Sequence, residues 1–187
     1  MNLKIVGLVC LLSMFVSTAA LADSVKVRPT NWAQALLSED LDNCFKVTDS
    51  LYRCGQPDKK AFKILKQQGI GEVLNLREYH SDKGKTDEMV LHRLKWDTGE
   101  VSEPDLVQAL QIIQEAKEPL VVHCWHGADR TGTVIAAYRI IFQDWTKEAA
   151  LEEMTMGGFG YHSFYDNLIS LIEDMDVAQM KKELGLE

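Results

Sequence analysis

A short apolar strand, a polar loop and a long apolar helix follow one another in the second half of this chain. Residues 119–123 begin at a proline and are mostly branched apolar residues, which predicts a buried strand. Residues 131–142 are too apolar for a surface helix, so a buried helix is predicted there. Residues 124–130 join the two as a loop that leads from a strand end into a helix N-terminus. A strand followed in this way by a helix is the building unit of α/β folds.

The rest of the chain predicts further strands and helices around this unit. No internal repeat or linker divides residues 31–187, so a single domain is predicted over residues 23–187. Residues 77–88 are polar throughout and are predicted to form a mobile, mostly solvated surface loop. The expected architecture is α/β, with a central, mostly parallel sheet flanked by helices. The other predicted elements are a short helix over 31–37, a hairpin over 44–54, a helix over 59–68, strands over 71–76 and 89–94, a helix after Ser102, and two or three helices over 146–184.

Cys124 and Arg130 stand at the two ends of the loop, separated by five residues. Several backbone N–H groups of such a loop point to one place, and the dipole of the following helix favours an anion there. The same field, together with a nearby guanidinium, favours the thiolate form of a cysteine at the start of the loop. The planar guanidinium of Arg130 can hold two oxygens of a phosphate group, which a lysine cannot do. The loop therefore predicts a phosphate-binding site with Cys124 as nucleophile.

Other residues of the loop have narrower predicted roles. Gly127 permits a tight turn and a close approach of the backbone to a ligand. Thr131 places a hydroxyl where it could bind the cysteine sulfur, and His123 is expected to support the loop through a hydrogen bond. No metal site is predicted, because His123 and His126 flank Cys124 too closely and the sequence shows no second group of ligands. The complete predicted phosphate-binding loop consists of Trp125, His126, Gly127, Ala128, Asp129 and Arg130.

The sequence His-Cys-x-x-Gly-x-x-Arg-Thr-Gly at residues 123–132 resembles the phosphate-binding loop of the cysteine-based protein tyrosine phosphatases. Residues 51–57 and 71–77 resemble stretches of the dual-specificity-like branch, and residues 145–160 resemble its bacterial periplasmic TpbA-type members. The resemblance covers approximately residues 31–160. It implies a compact dual-specificity-phosphatase-like domain that hydrolyses phosphotyrosine, and also phosphoserine and phosphothreonine, through a phosphocysteine intermediate. It further implies a phosphorylated protein or a small phosphate ester as substrate, with no metal ion or other cofactor.

A carboxylic acid protonates the leaving oxygen in this chemistry, and it usually lies on a movable loop. The candidates are Asp97, Glu100, Glu103 and Asp105. Glu103 and Asp105 lie in the predicted first turn of a helix, where capping and the helix dipole are sufficient to explain them. Asp97 follows a predicted strand, and residues 97–100 resemble the acid loop of the family. Asp97 is therefore the predicted general acid, and Glu100 is the second candidate.

Other functions are compatible with the same loop. Asp129 places a negative charge beside Arg130, so its side chain is expected to point away from a bound phosphate. Some lipid-directed relatives have Asp at this position, so hydrolysis of phosphoinositides or inositol phosphates is an alternative, although the loop has no lysine to hold further phosphates. A non-catalytic phosphate-binding module is another alternative, but it would not need Asp97. A thiol redox protein would need a second cysteine within a few residues of Cys124, and none is there.

Residues 1–22 have the pattern of a secretory signal peptide, with a positive start at Lys4, an apolar stretch over 5–16 and small residues over 20–22. A retained membrane anchor is the alternative, because the apolar stretch approaches the shortest membrane span. Cleavage would remove one basic residue and change the formal net charge from −8 to −9. Such acidity argues against nucleic acid as a partner. We expect a periplasmic or secreted monomer that does not contact the membrane after cleavage.

Three cysteines remain after cleavage, and they enter an oxidising compartment. Either one thiol stays free for chemistry or all three are unpaired. Relatives in the family commonly have serine at the position of Cys54. Since Cys44 and Cys54 are predicted to lie on neighbouring strands of a hairpin, the hypothesis is a disulfide between them, which would leave Cys124 free. A bond between Cys54 and Cys124 would instead indicate redox regulation.

Overall fold

The computed structural model describes residues 28–86 and 88–186. Within these residues the chain forms six strands and six helices, and the predicted elements from residue 59 to residue 142 are present with bounds that differ by at most two residues. In chain order the elements are β1 (Gln34–Ala35), β2 (Phe45–Lys46), β3 (Leu51–Cys54), α1 (Lys59–Gln67), β4 (Glu72–Arg77), β5 (Val90–Trp96), α2 (Glu103–Glu115), β6 (Leu120–His123), α3 (Asp129–Gln143), α4 (Lys147–Met156), α5 (Asp166–Asp174) and α6 (Val177–Glu183).

The strands form one sheet in the order β1-β2-β3-β6-β4-β5. β3, β6, β4 and β5 pair in parallel, while β1 and β2 add two antiparallel pairings at one edge. β6 is therefore a central strand, and its last residue, His123, is in register with Cys54 on one side and Asn75 on the other. This confirms the predicted α/β class and places the end of β6 in the middle of the sheet.

The two faces of β6 pack into two different cores. Leu120 and Val122 belong to a core that includes Ile135 of α3, whereas Val121 belongs to a second core that includes Phe62 of α1. Successive side chains of a strand point to opposite faces, so an unbroken apolar run is what a strand covered by helices on both faces requires. The branched apolar composition of β6 thus determines its central position.

Residues 31–37 do not form the predicted helix. They form a turn and the two-residue edge strand β1, which pairs with β2. The N–H of Leu36 donates to the carbonyl of Cys44 at 2.9 Å, and the N–H of Ala33 donates to the carboxylate of Glu153 at 2.6 Å. Because distant partners take these backbone donors, tertiary contacts override the local helix propensity.

The polar segment 77–88 is only partly solvated, which differs from the prediction. Arg77 and Asp82 are buried, with exposures of 6% and 3%. The predicted signal peptide over residues 1–22 lies outside the described residues. None of the helices in the described part of the chain combines the length and the apolar character that crossing a bilayer requires.

Candidate active site

Cys124 lies directly after the last residue of β6. Its side chain is buried at 2% exposure, and within the described residues it is the free cysteine. The loop turns at Gly127, whose φ is 70° and where a Cβ atom would lie only 2.3 Å from the carbonyl oxygen of Cys54. Only glycine fits at this point, because its conformation and its contact both exclude a side chain. α3 begins at Asp129, so the positive end of its dipole lies at the end of the loop.

Arg130 lies in the first turn of α3 and reaches across the ends of two neighbouring strands. Its Nη1 donates to the carbonyl oxygen of Trp96 at 2.8 Å and to that of Leu76 at 3.3 Å. Its Nε is buried and has no hydrogen-bond partner in the described part of the chain. A buried donor without a partner is costly, and a phosphate oxygen would satisfy it. The side chain is thus held in place through Nη1, and its Nε is available to an anion.

Asp97 and Arg130 line the same cavity, which has a volume of about 420 Å³. The Oδ1 atom of Asp97 accepts a hydrogen bond from the Gly99 N–H at 2.9 Å, so this candidate acid lies on a turned loop directly after β5. Glu100, the second candidate acid, does not line this cavity. The start of the 77–88 segment and the phosphate-binding loop complete the wall, with Arg77, Glu78, Tyr79, His80 and Trp125.

The hydroxyl of Thr131 is buried without a hydrogen-bond partner among the described residues. It therefore does not bind the sulfur of Cys124 in this structure, and the predicted contact stays a prediction for the phosphorylated enzyme. Trp125 is 52% exposed and His126 is also exposed, while Ala128 is fully buried. The loop thus presents two aromatic rings to the solvent and keeps its base inside the fold.

His123 is held by a carboxylate that sequence reasoning missed. Its Nε2 lies 2.8 Å from Oδ2 of Asp82, and its Nδ1 lies 3.1 Å from the carbonyl oxygen of Cys124. Asp82 also accepts hydrogen bonds from Asn75 at 2.7 Å and from Gln56 at 2.9 Å. The imidazole of His123 thus lies between a buried carboxylate and the backbone of Cys124.

Burial alone would raise the pKa of Asp82, but its hydrogen bonds act in the opposite direction. The hydrogen bond and charge of His123, the hydrogen bond from Gln56 and the charge of Lys85 together lower the pKa of Asp82 to about 2. These contacts therefore favour the ionised form of the carboxylate. Asp82 stands in a polar segment without any periodic pattern, so nothing in the sequence singled it out.

Arg53 lies fully buried beneath the phosphate-binding loop. Its Nη2 donates to the carbonyl oxygen of Gly127 at 2.6 Å, and its guanidinium carbon lies 3.5 Å from the ring centre of Phe159. Burial lowers the pKa of Arg53 to about 9, although Glu153 and Cys124 favour its charged form. A charged residue inside the otherwise apolar β3 was the signal in the sequence that could have identified this residue.

The side chain of Asp129 contacts His162 and does not line the cavity that contains Arg130. Its Oδ1 accepts a hydrogen bond from the backbone N–H of His162 at 2.9 Å, and its Oδ2 lies 2.9 Å from Nδ1 of the same residue. His126 lies beside this pair, so three groups capable of metal ligation meet there. His162 comes from a distant turn, which is why the sequence showed no second group of ligands near His126.

Cys44 and Cys54 form a disulfide, with their Cα atoms 4.1 Å apart. Cys44 directly precedes β2, and Cys54 ends β3 beside the phosphate-binding loop. Because Cys54 is bonded to Cys44, the structure does not contain the alternative bond between Cys54 and Cys124. The thiol at the end of β6 is thereby left free.

An α/β sheet whose central strand leads into a loop from cysteine to arginine defines a cysteine-based phosphatase. The chain belongs to the dual-specificity phosphatase family, because the family model described as "Polymorphic toxin system, DSP-PTPase phosphatase" matches residues 47–144. The dual specificity protein phosphatase TpbA of Pseudomonas aeruginosa is 31% identical over 164 residues, which cover 86% of this chain and 74% of that protein. The protein is therefore a phosphatase of the tyrosine and dual-specificity class.

Solved structures lead to the same family. The crystal structure of P. aeruginosa TpbA has a TM-score of 0.77 and 27% identity, and covers 85% of this chain and 99% of that one. A TpbA variant in complex with phosphotyrosine also has a TM-score of 0.77, with 26% identity over 86% of this chain and 100% of that one. The inositol diphosphatase DSP5 of Arabidopsis thaliana is a more distant relative, 23% identical over 75% of this chain and 72% of its own length.

Proposed function

We propose that this protein is an exported phosphatase that hydrolyses phosphotyrosine, and also phosphoserine and phosphothreonine, through a phosphocysteine intermediate. One observation carries this proposal: Asp97 and Arg130 line a single cavity at the loop that begins with Cys124. A protein that only binds phosphate does not need a general acid, because no leaving group has to be protonated. The shared cavity therefore favours catalysis over a non-catalytic phosphate-binding module.

The first step transfers the phosphoryl group to the enzyme. The thiolate of Cys124 attacks phosphorus, an S–P bond forms and the P–O bond to the leaving group breaks. Arg130 and the backbone N–H groups of the loop bind the phosphoryl oxygens, where negative charge must be stabilised. Asp97 gives its proton to the leaving oxygen, so the product leaves as an alcohol or a phenol.

The second step hydrolyses the phosphocysteine. The carboxylate of Asp97 takes a proton from water, the water oxygen attacks phosphorus, and the S–P bond breaks to release inorganic phosphate. Thr131 donates its hydroxyl proton in a hydrogen bond to the departing sulfur. The hydroxyl is buried and makes no hydrogen bond among the described residues, so its donor is not committed to another group.

The preference for phosphotyrosine is supported by the residues at the cavity. Tyr79 is 83% exposed and Trp125 is 52% exposed, and both line the cavity with Arg130. Such rings can pack against the phenyl ring of a phosphotyrosine side chain. The TpbA structure in complex with phosphotyrosine supports the same substrate class.

A second candidate function is the hydrolysis of inositol phosphates, and Arg77 favours it. The loop lacks a lysine for further phosphates, but Arg77 lines the same cavity as Arg130 and stacks 4.0 Å from the ring centre of Trp125. Burial, and then the charge of Arg130, lower the pKa of Arg77. A second guanidinium so close to Arg130 would suit a substrate that carries several phosphate groups.

Export is proposed from residues 1–22 together with the disulfide. Disulfides persist in oxidising compartments, so the bond between Cys44 and Cys54 supports a periplasmic or secreted location. We further propose that the mature protein is a monomer that begins at Asp23. N-terminal sequencing of protein recovered from the periplasmic fraction tests the proposed start at Asp23. A retained Met1 in the membrane fraction would contradict cleavage.

The catalytic proposal is tested by comparing wild-type protein with a Cys124→Ser variant on phosphotyrosine, phosphoserine and phosphothreonine peptides and on inositol phosphates. We expect acid quenching to trap a radiolabelled phosphoenzyme in the wild type and no labelled enzyme in the variant. Equal turnover by both proteins would exclude Cys124 as nucleophile. An Arg77→Ala variant that loses activity on inositol phosphates while it keeps activity on phosphotyrosine peptides would favour the second candidate.

A further inference from the structure

Three side chains with metal-ligating groups meet on the outer side of the phosphate-binding loop. One ligand atom from each of His126, Asp129 and His162 lies within 4.8 Å of both others. His126 is in the loop, Asp129 begins α3, and His162 lies in the turn between α4 and α5. None of the three lines the cavity that contains Asp97. We propose that they form a binding site for a divalent transition-metal ion, for which Zn²⁺ is the probe.

The chemistry of the three groups suits zinc. Two imidazoles and one carboxylate are a common set of zinc ligands, with bonds of about 2.0–2.2 Å to nitrogen and oxygen. Ligand atoms around a tetrahedral ion are then about 3.4 Å apart. Nδ1 of His162 lies 2.9 Å from Oδ2 of Asp129, and the largest separation in the group is at most 4.8 Å. Small side-chain rotations would therefore bring all three atoms into coordination, and a fourth position would stay open to water.

The carboxylate of Asp129 is already oriented for this role. Its Oδ1 accepts the backbone N–H of His162, which leaves Oδ2 directed at the imidazole. Asp129 is only 6% exposed, so a neighbouring cation would offset the cost of burying its charge. Hydrogen bonds that orient a ligating carboxylate in this way raise metal affinity.

The two backbone segments that carry the histidines are joined by one side chain. Nδ2 of Asn43 donates to the carbonyl oxygen of His126 at 2.7 Å and to that of Phe159 at 2.8 Å. The rings of His126 and His162 are consequently close, with centres 5.1 Å apart. Little conformational entropy would be lost on binding the ion, since the fold itself holds the segments together.

A hydrogen-bonded pair of Asp129 and His162 could exist without any metal ion, and it would not require His126. The His126→Ala variant therefore separates a metal site from a purely structural pair. The chain also offers a matched control, because Nε2 of His92 lies 2.7 Å from Oε2 of Glu72. That pair of histidine and carboxylate does not belong to any group of three ligands among the described residues.

The experiment titrates metal-stripped protein with ZnCl₂ by isothermal calorimetry. A Cys124→Ser background removes the free thiolate that would compete for zinc. We expect one ion per chain in this background, affinity at least about tenfold weaker after His126→Ala or His162→Ala, and unchanged affinity after His92→Ala. Far-UV circular dichroism checks that each variant folds. If the His162→Ala variant does not fold, the zinc affinity of the His126→Ala variant decides the outcome, because His126 is exposed and its loss should not affect folding.

X-ray absorption at the zinc edge provides the second measurement, on protein with intact cysteines. We expect only nitrogen and oxygen neighbours near 2.0–2.1 Å. A sulfur shell near 2.3 Å would place the ion on a thiolate and overturn the proposal. Equal zinc affinity of the His126→Ala protein and its parent, or no zinc binding by the parent, would overturn it as well.

Discussion

Oδ2 of Asp82 lies 2.8 Å from Nε2 of His123, and both side chains are buried. The other ring nitrogen faces the carbonyl oxygen of Cys124 at 3.1 Å. A carboxylate can only accept a hydrogen bond, so Nε2 of His123 donates to Asp82. The side chain of the residue before Cys124 is thus held between a buried carboxylate and the backbone of its neighbour.

An Asp82→Asn variant should be less stable than the wild type. The pKa of Asp82 is about 2, against an ordinary value of 3.8. This difference corresponds to about 2 kcal/mol of unfolding free energy at neutral pH. Urea denaturation at pH 7 measures the loss. Asp49→Asn is the control, because Asp49 pairs with Lys46 at the surface with 99% of its side chain exposed, and we expect almost no change.

The contact of Asp82 with His123 also predicts how the stability of the protein changes at acid pH. Because the pKa of Asp82 is lower in the folded state, its contribution to stability is fully present above about pH 4 and is lost as the pH falls towards about 2. The difference in unfolding free energy between wild type and Asp82→Asn should therefore shrink over this window. A difference that stays constant from pH 6 to pH 2 would contradict the assignment.

Replacement of Asp97 by Asn should affect substrates according to their leaving groups. We expect kcat to fall by about 10²–10³ on phosphotyrosine peptides, whose leaving oxygen needs a proton. The loss should be much smaller on p-nitrophenyl phosphate, because nitrophenolate leaves readily without a proton. Steady-state kinetics with both substrates measure the ratio. Glu100→Gln is the control and should change kcat less than about twofold; the reverse result would identify Glu100 as the acid.

Thr131→Val should separate the two chemical steps. Removal of the hydroxyl should slow hydrolysis of the phosphocysteine by about tenfold or more while its formation continues. Stopped-flow measurements with p-nitrophenyl phosphate should then show a larger burst before a slower steady state. Since the hydroxyl is buried without a partner, stability should not fall, and it should rise by up to about 1 kcal/mol. A variant with unchanged kcat would remove Thr131 from the mechanism.

Arg53→Met should reduce activity without reducing stability. Nε and Nη1 of Arg53 are buried without partners in the described part of the chain, so loss of this charge should change the unfolding free energy by no more than about 1 kcal/mol. We expect kcat to fall by about tenfold, because the carbonyl of Gly127 loses its donor.

Arg139→Met is the matched control for this experiment. Arg139 is buried and makes two hydrogen bonds to Glu153, at 2.7 and 2.8 Å. Its loss would leave the carboxylate without its charge partner and should cost about 3–5 kcal/mol. Urea denaturation compares the two variants, and similar losses of stability in both would show that Arg53 is a structural residue.

A double variant with Cys44→Ser and Cys54→Ser should lose about 2–3 kcal/mol of unfolding free energy, because the disulfide closes a loop with a sequence separation of 10. Guanidinium denaturation with and without reductant measures the effect. Reductant should destabilise the wild type and leave the double variant unchanged. Activity at 25 °C should be retained, and its loss in the folded double variant would show that the bond also positions the loop.

Local patterns predicted the central part of the fold, and they singled out the loop that runs from Cys124 to Arg130. The strand before Cys124 is an apolar run and the helix after Arg130 is apolar throughout, so each element is determined by residues within one segment. The loop that joins the strand to the helix has the cysteine at one end and the arginine at the other, so their spacing can be seen directly in the sequence. Residues 123–132 carry the motif that resembles the cysteine-based phosphatases, and residues 51–57 and 71–77 extend the resemblance.

Contacts between distant residues were not predictable in this way. Asp82 and His123 are 41 residues apart, and Asp129 and His162 are 33 apart. No periodicity connects such pairs, because they meet only after the sheet has formed. The helix predicted over residues 31–37 was wrong for the same reason, since Glu153 takes a backbone donor from a position 120 residues away.

The proposed nucleophile and the proposed acid follow different strands of the sheet, so we expect them to differ in how readily heating displaces them. Cys124 follows β6, which has a strand on each side, whereas Asp97 follows β5 at the sheet edge. Edge strands fray by local opening, while amides in the middle of a sheet exchange with solvent mainly through global unfolding. On warming, the enzyme should therefore lose the ability to protonate its leaving group before it loses the ability to accept a phosphoryl group.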